Sequence, residues 1–237
     1  YADKIEMFAS EFDMPFYSFD NYPVVEEDGV VSVRPDWYRN LEEFSAMARR
    51  HGKSFWGFAL AKAHSISDPW PDTVYPEPTL GQLRLQVFSN LLYGAQAIQY
   101  FNFTGIVDPV TCGKLPAYEL VKQVNSEVRA YSPVFAGCSV LGVWHVGDSI
   151  PCGTKPLETM PHKKVKSLQI TGSGGVVALI ENGDATYLAV QNSSCTETAT
   201  LDISFSSPVH HVSIRKEESM KELHAVVQPG DVVVIRL

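Results

Sequence analysis

Basic charge is scarce in this sequence, and patterns that bind metals or span membranes are missing. Lysine and arginine number 19 against 27 aspartates and glutamates, a net charge of −8 over 237 residues. Nucleic-acid binders need a basic face to neutralise phosphates, so that class is set aside and a neutral or polyhydroxylated ligand fits better. No stretch approaches the roughly eighteen uninterrupted apolar residues of a transmembrane helix. The four cysteines, Cys112, Cys138, Cys152 and Cys195, form no CxxC pair and have no histidine at ligand spacing. A structural zinc site is therefore not expected, nor any other metal or cofactor. Cys138 and Cys152 flank an expected strand and loop; they read either as a bridge in an oxidising compartment or as half-buried thiols. Two Asn-Xaa-Ser/Thr triplets, at Asn102 and Asn192, are too short to decide anything. An initiator Met and a signal peptide are lacking, and Tyr1 already sits in a helical pattern, so a mature or truncated product is expected. What remains is ordinary globular composition, 45% hydrophobic with 16 Gly and 15 Pro, enough for one or two domains.

Aromatics are nearly absent from the second half. Of 26 Phe, Trp and Tyr residues, 23 lie in residues 1–135, and only Trp144, Tyr187 and Phe205 lie beyond. Periodicity changes at the same place, dividing the chain into residues 1–135 and 136–237. The first half alternates helical stripes (2–12, 36–50, 79–93, 116–131) with apolar runs (14–19, 55–61, 97–103). Thr79-Leu80-Gly81-Gln82 spells a capping box. Right-handed crossovers place three such strands parallel in one sheet with helices outside, and continuous runs such as Met14–Phe19 read as strands buried on both faces. The second half offers eight short β segments, 139–146, 164–171, 175–181, 185–191, 197–205, 208–215, 221–227 and 231–237. Asn182-Gly183 and Pro229-Gly230 are turn signals among them. The expected fold class is α/β plus all-β, the second part an antiparallel β-sandwich.

Ligands of parallel α/β sheets gather at the carboxyl ends of the strands. Asp20, Asn21 and Tyr22 follow the first strand. Lys62, His64, Asp68, Trp70 and Glu77 follow the second, and the third ends in Tyr100 and Asn102, with Asp108 beyond. Each set combines flat rings with carboxylate, amide or imidazole groups. Sugars need that combination, rings for their C–H faces and polar groups for their hydroxyls.

Phe16-Tyr17-Ser18-Phe19-Asp20-Asn21-Tyr22-Pro23 resembles the sixth strand of TIM-barrel glycoside hydrolases related to bacterial β-galactosidases. Ser54-Phe55-Trp56-Gly57-Phe58-Ala59 is similar to their seventh strand. Pro78 to Gln86 and Tyr93 to Phe101 are similar to the seventh helix and eighth strand. The resemblance covers residues 1 to about 131. It implies the last three β/α units of a (β/α)8 barrel followed by the C-terminal sandwich common in such enzymes, in a secreted, periplasmic or cell-surface protein. A full barrel takes about 250 residues, so the first five units would come from a missing N-terminal portion or a second chain. Retaining members carry a nucleophilic Glu at the end of the seventh strand, where this chain reads Phe58-Ala59-Leu60-Ala61.

Hydrolysis of a glycosidic bond ordinarily needs two carboxyls. Asp20 is the candidate for one of them, desolvated at the end of a buried strand; a hydroxyl contact or a turn-capping role are its alternatives. Asn21, Tyr22, His64, Trp70, Tyr100 and Asn102 are the candidate substrate-binding residues, with Trp70 the stacking platform. Glu77 reads as a solvated loop carboxylate, Trp56 as core, and His210-His211 as alternating strand residues. The expected activity is a glycoside hydrolase, or part of one, acting on a poly- or oligosaccharide. Its rivals are a sugar-binding barrel without its nucleophile and a structural sandwich module.

Overall fold

The computed structural model describes residues 1–65, 73–212 and 217–237. The first half contains α1 (Ala2–Glu11), β1 (Phe16–Phe19), the hairpin β2 (Val24–Glu27) and β3 (Val30–Val33), and α2 (Trp37–Arg50). These are followed by β4 (Ser54–Leu60), the short strands β5 (His64–Ser65) and β6 (Thr73–Tyr75), and α3 (Leu80–Leu92). β7 (Ala97–Phe101), α4 (Phe103–Ile106), α5 (Ala117–Ala130) and α6 (Ser132–Phe135) complete it. The capping box forms: the Gln82 N–H donates to the Thr79 hydroxyl at 3.3 Å, and the Thr79 N–H donates to the Gln82 side chain at 2.9 Å.

Strands β1, β4 and β7 form a parallel sheet in the order β1-β4-β7, as the alternation with helices requires. One face, with Tyr17, Phe19, Phe55 and Ala59, is buried in a core shared with Trp37, Leu41, Phe44, Leu83 and Phe88 of α2 and α3. Among the described residues the other face carries no second layer, although Leu60 at its end is buried. Ser18 is exposed and Phe16, Trp56 and Phe58 are half-buried, with Phe16 stacked on Trp56 at 3.7 Å. Burial along β1 therefore alternates instead of running through both faces, which corrects the expectation for Met14–Phe19.

A second small sheet, order β3-β2-β6-β5, grows from the loops after β1 and β4. It was not expected, although its turn is legible: Asp28 and Gly29 both have positive φ, 51° and 75°. Asp-Gly between valine-rich strands is the signature of a type I′ hairpin. The Pro-rich loop is likewise not all loop, since β5 and β6 lie within it.

The second half supplies β8 (Ser139–Val146), β9 (Val165–Ile170), β10 (Gly175–Asn182), β11 (Ala185–Asn192), β12 (Ala199–Val212), β13 (Glu217–Val227) and β14 (Val232–Arg236). Among the described residues seven strands replace the eight expected, because 197–205 and the start of 208–215 are one long strand, β12. Its register shifts between Ser204 and Val209, around Pro208, which has no N–H to give a ladder. Residues before the shift pair with β9 and residues after it pair with β14. One antiparallel sheet thus turns back on itself at a bulge, as corner strands do. Inside the turn lie Val177, Leu188, Val190, Leu201, Ile203, Phe205 and Ile235. The opposite face of β10, β11 and β14, with Val176, Ala178, Ile180, Ala189 and Val234, joins the helical core instead. Strand β10 is buried on both faces for that reason.

Gln191 of β11 fastens α3 to this sheet. Fully buried, its amide donates to the Leu85 and Gly230 carbonyls at 3.2 and 3.0 Å and accepts from Ser89 at 3.0 Å. All four cysteines are free thiols, so Cys138 and Cys152 do not bridge. Asn192 is buried with its side-chain nitrogen bonded to the Glu197 carbonyl at 2.8 Å, which removes it as a glycan acceptor in the folded chain. No described helix is long and apolar enough to cross a membrane.

Candidate functional site

The carboxyl ends of β1, β4 and β7 converge on one aromatic cluster. Tyr22, two residues beyond Asp20, packs edge-on against His64 (6.4 Å between centroids) and Tyr75 (5.4 Å), with Phe101 at 6.0 Å. His64 lies 4.8 Å from Tyr75 and 5.4 Å from Phe101. The small antiparallel sheet makes this possible, since β5 and β6 carry His64 and Tyr75 over the end of the parallel strands. Arg34, just after β3, reaches the Tyr75 hydroxyl at 3.5 Å while paired with Asp36 at 3.0 Å.

Tyr22 is 8% exposed, yet its hydroxyl makes no hydrogen bond of normal geometry among the described residues. The Asp20 carboxylate is its charged neighbour. Burial first, and this carboxylate second, push the Tyr22 hydroxyl far above its ordinary pKa. A buried phenol whose contact with its carboxylate neighbour is poorly aligned keeps part of the desolvation cost, about 1–3 kcal/mol in full, until something bonds to it well. Asp20 itself is exposed, not desolvated as expected of a strand end. Asn21 between them is half-buried.

His64 is oriented from below: its Nδ1 lies 3.2 Å from the Lys62 carbonyl. A donor at Nδ1 makes Nε2 of the neutral ring an acceptor. Lys62 sends its ammonium to Thr104 Oγ1 at 2.9 Å, and the Thr104 hydroxyl donates to Asn102 Oδ1 at 2.7 Å. Glu77 is exposed and accepts from the Ala63 N–H at 3.4 Å.

Tyr22 and His64 thus meet, with Asp20 beside Tyr22, and Asn102 joins the border through Thr104 and Lys62; Asn21 is half-buried between Asp20 and Tyr22 in the chain. Tyr100 does not join them. Alternation along β7 turns it to the helix-covered face, where its hydroxyl donates to Asn125 Oδ1 at 2.9 Å and burial raises its pKa. Trp70 lies outside the described residues. Tyr75, Arg34 and Thr104 were missed as contributors, and Lys62 was placed at the strand end without a role; the Asp28-Gly29 turn was the signal for the hairpin that brings Arg34. Among the described residues, no three His, Cys, Asp or Glu side chains come together as metal ligands. Compared with known proteins, the chain matches no protein-family model and no curated sequence.

Proposed function

We propose that this chain forms the last three β/α units of a (β/α)8 barrel and its sandwich, and that the barrel is a glycoside hydrolase acting on a poly- or oligosaccharide. Its bare sheet face supports the barrel, because all-parallel sheets are stable with both faces covered. Both outer edges, β1 and β7, are open as well. Beside β1 the apolar side chains of Phe8, Phe12 and Met14 are exposed. Beside β7 a groove of about 410 Å³ runs past Ile106, Tyr118, Val121 and Asn125. Further β/α units, from a missing N-terminal portion or a second chain, would pair with these edges and bury these groups.

One observation carries the sugar reading: the buried Tyr22 hydroxyl, held by no more than a poorly aligned contact with the Asp20 carboxylate among the described residues, walled by the rings of His64, Tyr75 and Phe101. A polyhydroxylated ligand gives the Tyr22 hydroxyl its partner, gives His64 Nε2 a donor, and lays its C–H face on the rings. Asp20 is the carboxylate at the reacting centre in this reading, with its counterpart on another strand. Turnover of a panel of aryl glycosides and oligosaccharides by the full-length protein tests it. Asp20→Asn is expected to lower turnover by about 10²-fold or more with the fold intact; unchanged turnover refutes the assigned role.

A second reading, sugar binding without hydrolysis, is favoured by one fact. β4 ends in Ala59-Leu60 with no carboxylate, and Glu77 is engaged by the backbone of Ala63. Binding on a glycan array together with no turnover on the panel selects it.

A further inference from the structure

Lys62 stands immediately beyond the central strand of the parallel sheet, half-buried, and among the described residues no carboxylate lies within 4 Å of its ammonium. The chain is acidic, and Arg34, Arg50, Lys53, Arg84, Lys114, Lys122 and Lys155 each meet a carboxylate within 4 Å. The Lys62 ammonium instead rests on a neutral hydroxyl, Thr104 Oγ1 at 2.9 Å. That hydroxyl is itself fixed, its hydrogen directed to Asn102 Oδ1 at 2.7 Å. Of the strand-end carboxylates among the described residues, neither Asp20 nor Glu77 pairs with Lys62: Asp20 stands beside Tyr22, and Glu77 accepts from the Ala63 N–H.

The arrangement depends on a close approach. A Cβ on Gly105 would lie 2.3 Å from the Ala61 carbonyl oxygen and 2.6 Å from Lys62 Cβ. Only glycine lets α4 seat against the end of β4 and bring Thr104 within reach of Lys62. An ammonium has three donors, and Thr104 accepts one of them. A half-buried cation anchored through a neutral group keeps its charge available, and a charge-assisted hydrogen bond to an incoming anion is about twice as strong as a neutral one.

We propose that Lys62 is a specificity-determining residue which recognises an anionic substituent, a carboxylate or sulfate, on the saccharide bound at the Tyr22–His64 cluster. The inference rests on the sugar-binding reading above and names the class of sugar. Titration of the full-length protein with galactose, galacturonate and galactose 6-sulfate tests it, and the two acidic arms tell carboxylate from sulfate. At least one acidic sugar is expected to bind about tenfold or more tightly than galactose. That ratio falls to about one in Lys62→Met and is retained in Lys62→Arg. It also shrinks when ionic strength is raised from about 0.01 M to about 1 M, where the screening length drops from roughly 30 to 3 Å. The wild-type ratio and its salt dependence decide the matter even if Lys62→Met does not fold. Binding of all three sugars with equal affinity overturns the role of Lys62 and leaves the sugar reading standing, as does a preference that survives Lys62→Met. No binding of any of the three, on a protein whose fold is intact, overturns both.

Discussion

Arg84 of α3 grips Glu127 of α5 at two points, Nε to Oε2 at 2.9 Å and Nη2 to Oε1 at 2.5 Å. Their side chains are 12% and 7% exposed, and Asp231, in the turn before β14, lies 3.6 Å from the same guanidinium. One side chain thus ties two helices of the α/β layer to the antiparallel sheet.

Removing the cation leaves two carboxylates facing each other with little water. Arg84→Met is expected to cost about 3–5 kcal/mol of unfolding free energy, the range for a broken buried pair. Adding Glu127→Leu should recover much of it, because the uncompensated charge goes too. Urea denaturation of the single and double variants measures both; a single-variant loss under about 1 kcal/mol refutes the clamp.

Acid should loosen the junction of helices and sheet. His145 of β8 is 2% exposed, with Nε2 3.0 Å from the Tyr93 hydroxyl, and burial lowers its pKa from 6.5 to about 4. Between those values the unfolded chain binds more protons than the folded one, so stability falls as pH drops. This contribution is complete above pH 6.5 and shrinks through the window by up to about 3 kcal/mol. Denaturation midpoints followed from pH 7 to pH 4 should show the slope, and His145→Gln should flatten it.

Tyr22→Phe separates stability from binding. Deleting a buried hydroxyl whose contact with Asp20 is poorly aligned relieves its desolvation, so the variant should be as stable as the parent or more so, by about 1 kcal/mol. Sugar affinity should fall nevertheless. A thermal melt beside a glycan titration reads both, and a variant that loses stability while binding sugar normally contradicts the role given to this hydroxyl.

Gly81, in the first turn of α3, marks another close approach. A Cβ there would sit 2.5 Å from the Cys195 carbonyl oxygen and 2.7 Å from Pro229 Cβ. Gly81→Ala should therefore push α3 off the sheet loops at a cost of about 1–3 kcal/mol, despite the higher helix propensity of alanine. A melting temperature at or above that of the parent would show that the loops yield freely.

Much of the architecture was legible from one dimension, and particular residues show where that stopped. The α2 stripe of Trp37, Leu41, Phe44 and Met47, the Thr79 capping box and the three apolar runs each report on contacts a few residues away. Local periodicity encodes such contacts directly. Strand-end placement likewise grouped Asp20, Tyr22 and His64, and in the fold Tyr22 packs against His64 with Asp20 beside it. Tyr100 was misplaced because alternation along β7 sends it to the helix side, and which face is covered is not written in a five-residue run. The merger of two expected strands into β12 depended on pairing with β9 and β14 at once, a relation between segments some 30 residues apart in either direction.

The sequence by itself determined that the chain is acidic, has no long apolar run, and alternates helix with strand before turning wholly β. Those properties follow from composition and nearest-neighbour pattern. Only the tertiary structure decided that one face of the parallel sheet is left without a second layer among the described residues, that the Tyr22 hydroxyl is buried beside the Asp20 carboxylate, and that Lys62 rests on Thr104. Each of these is a balance between burial and available partners, and both are set by residues distant in sequence and brought together only by folding.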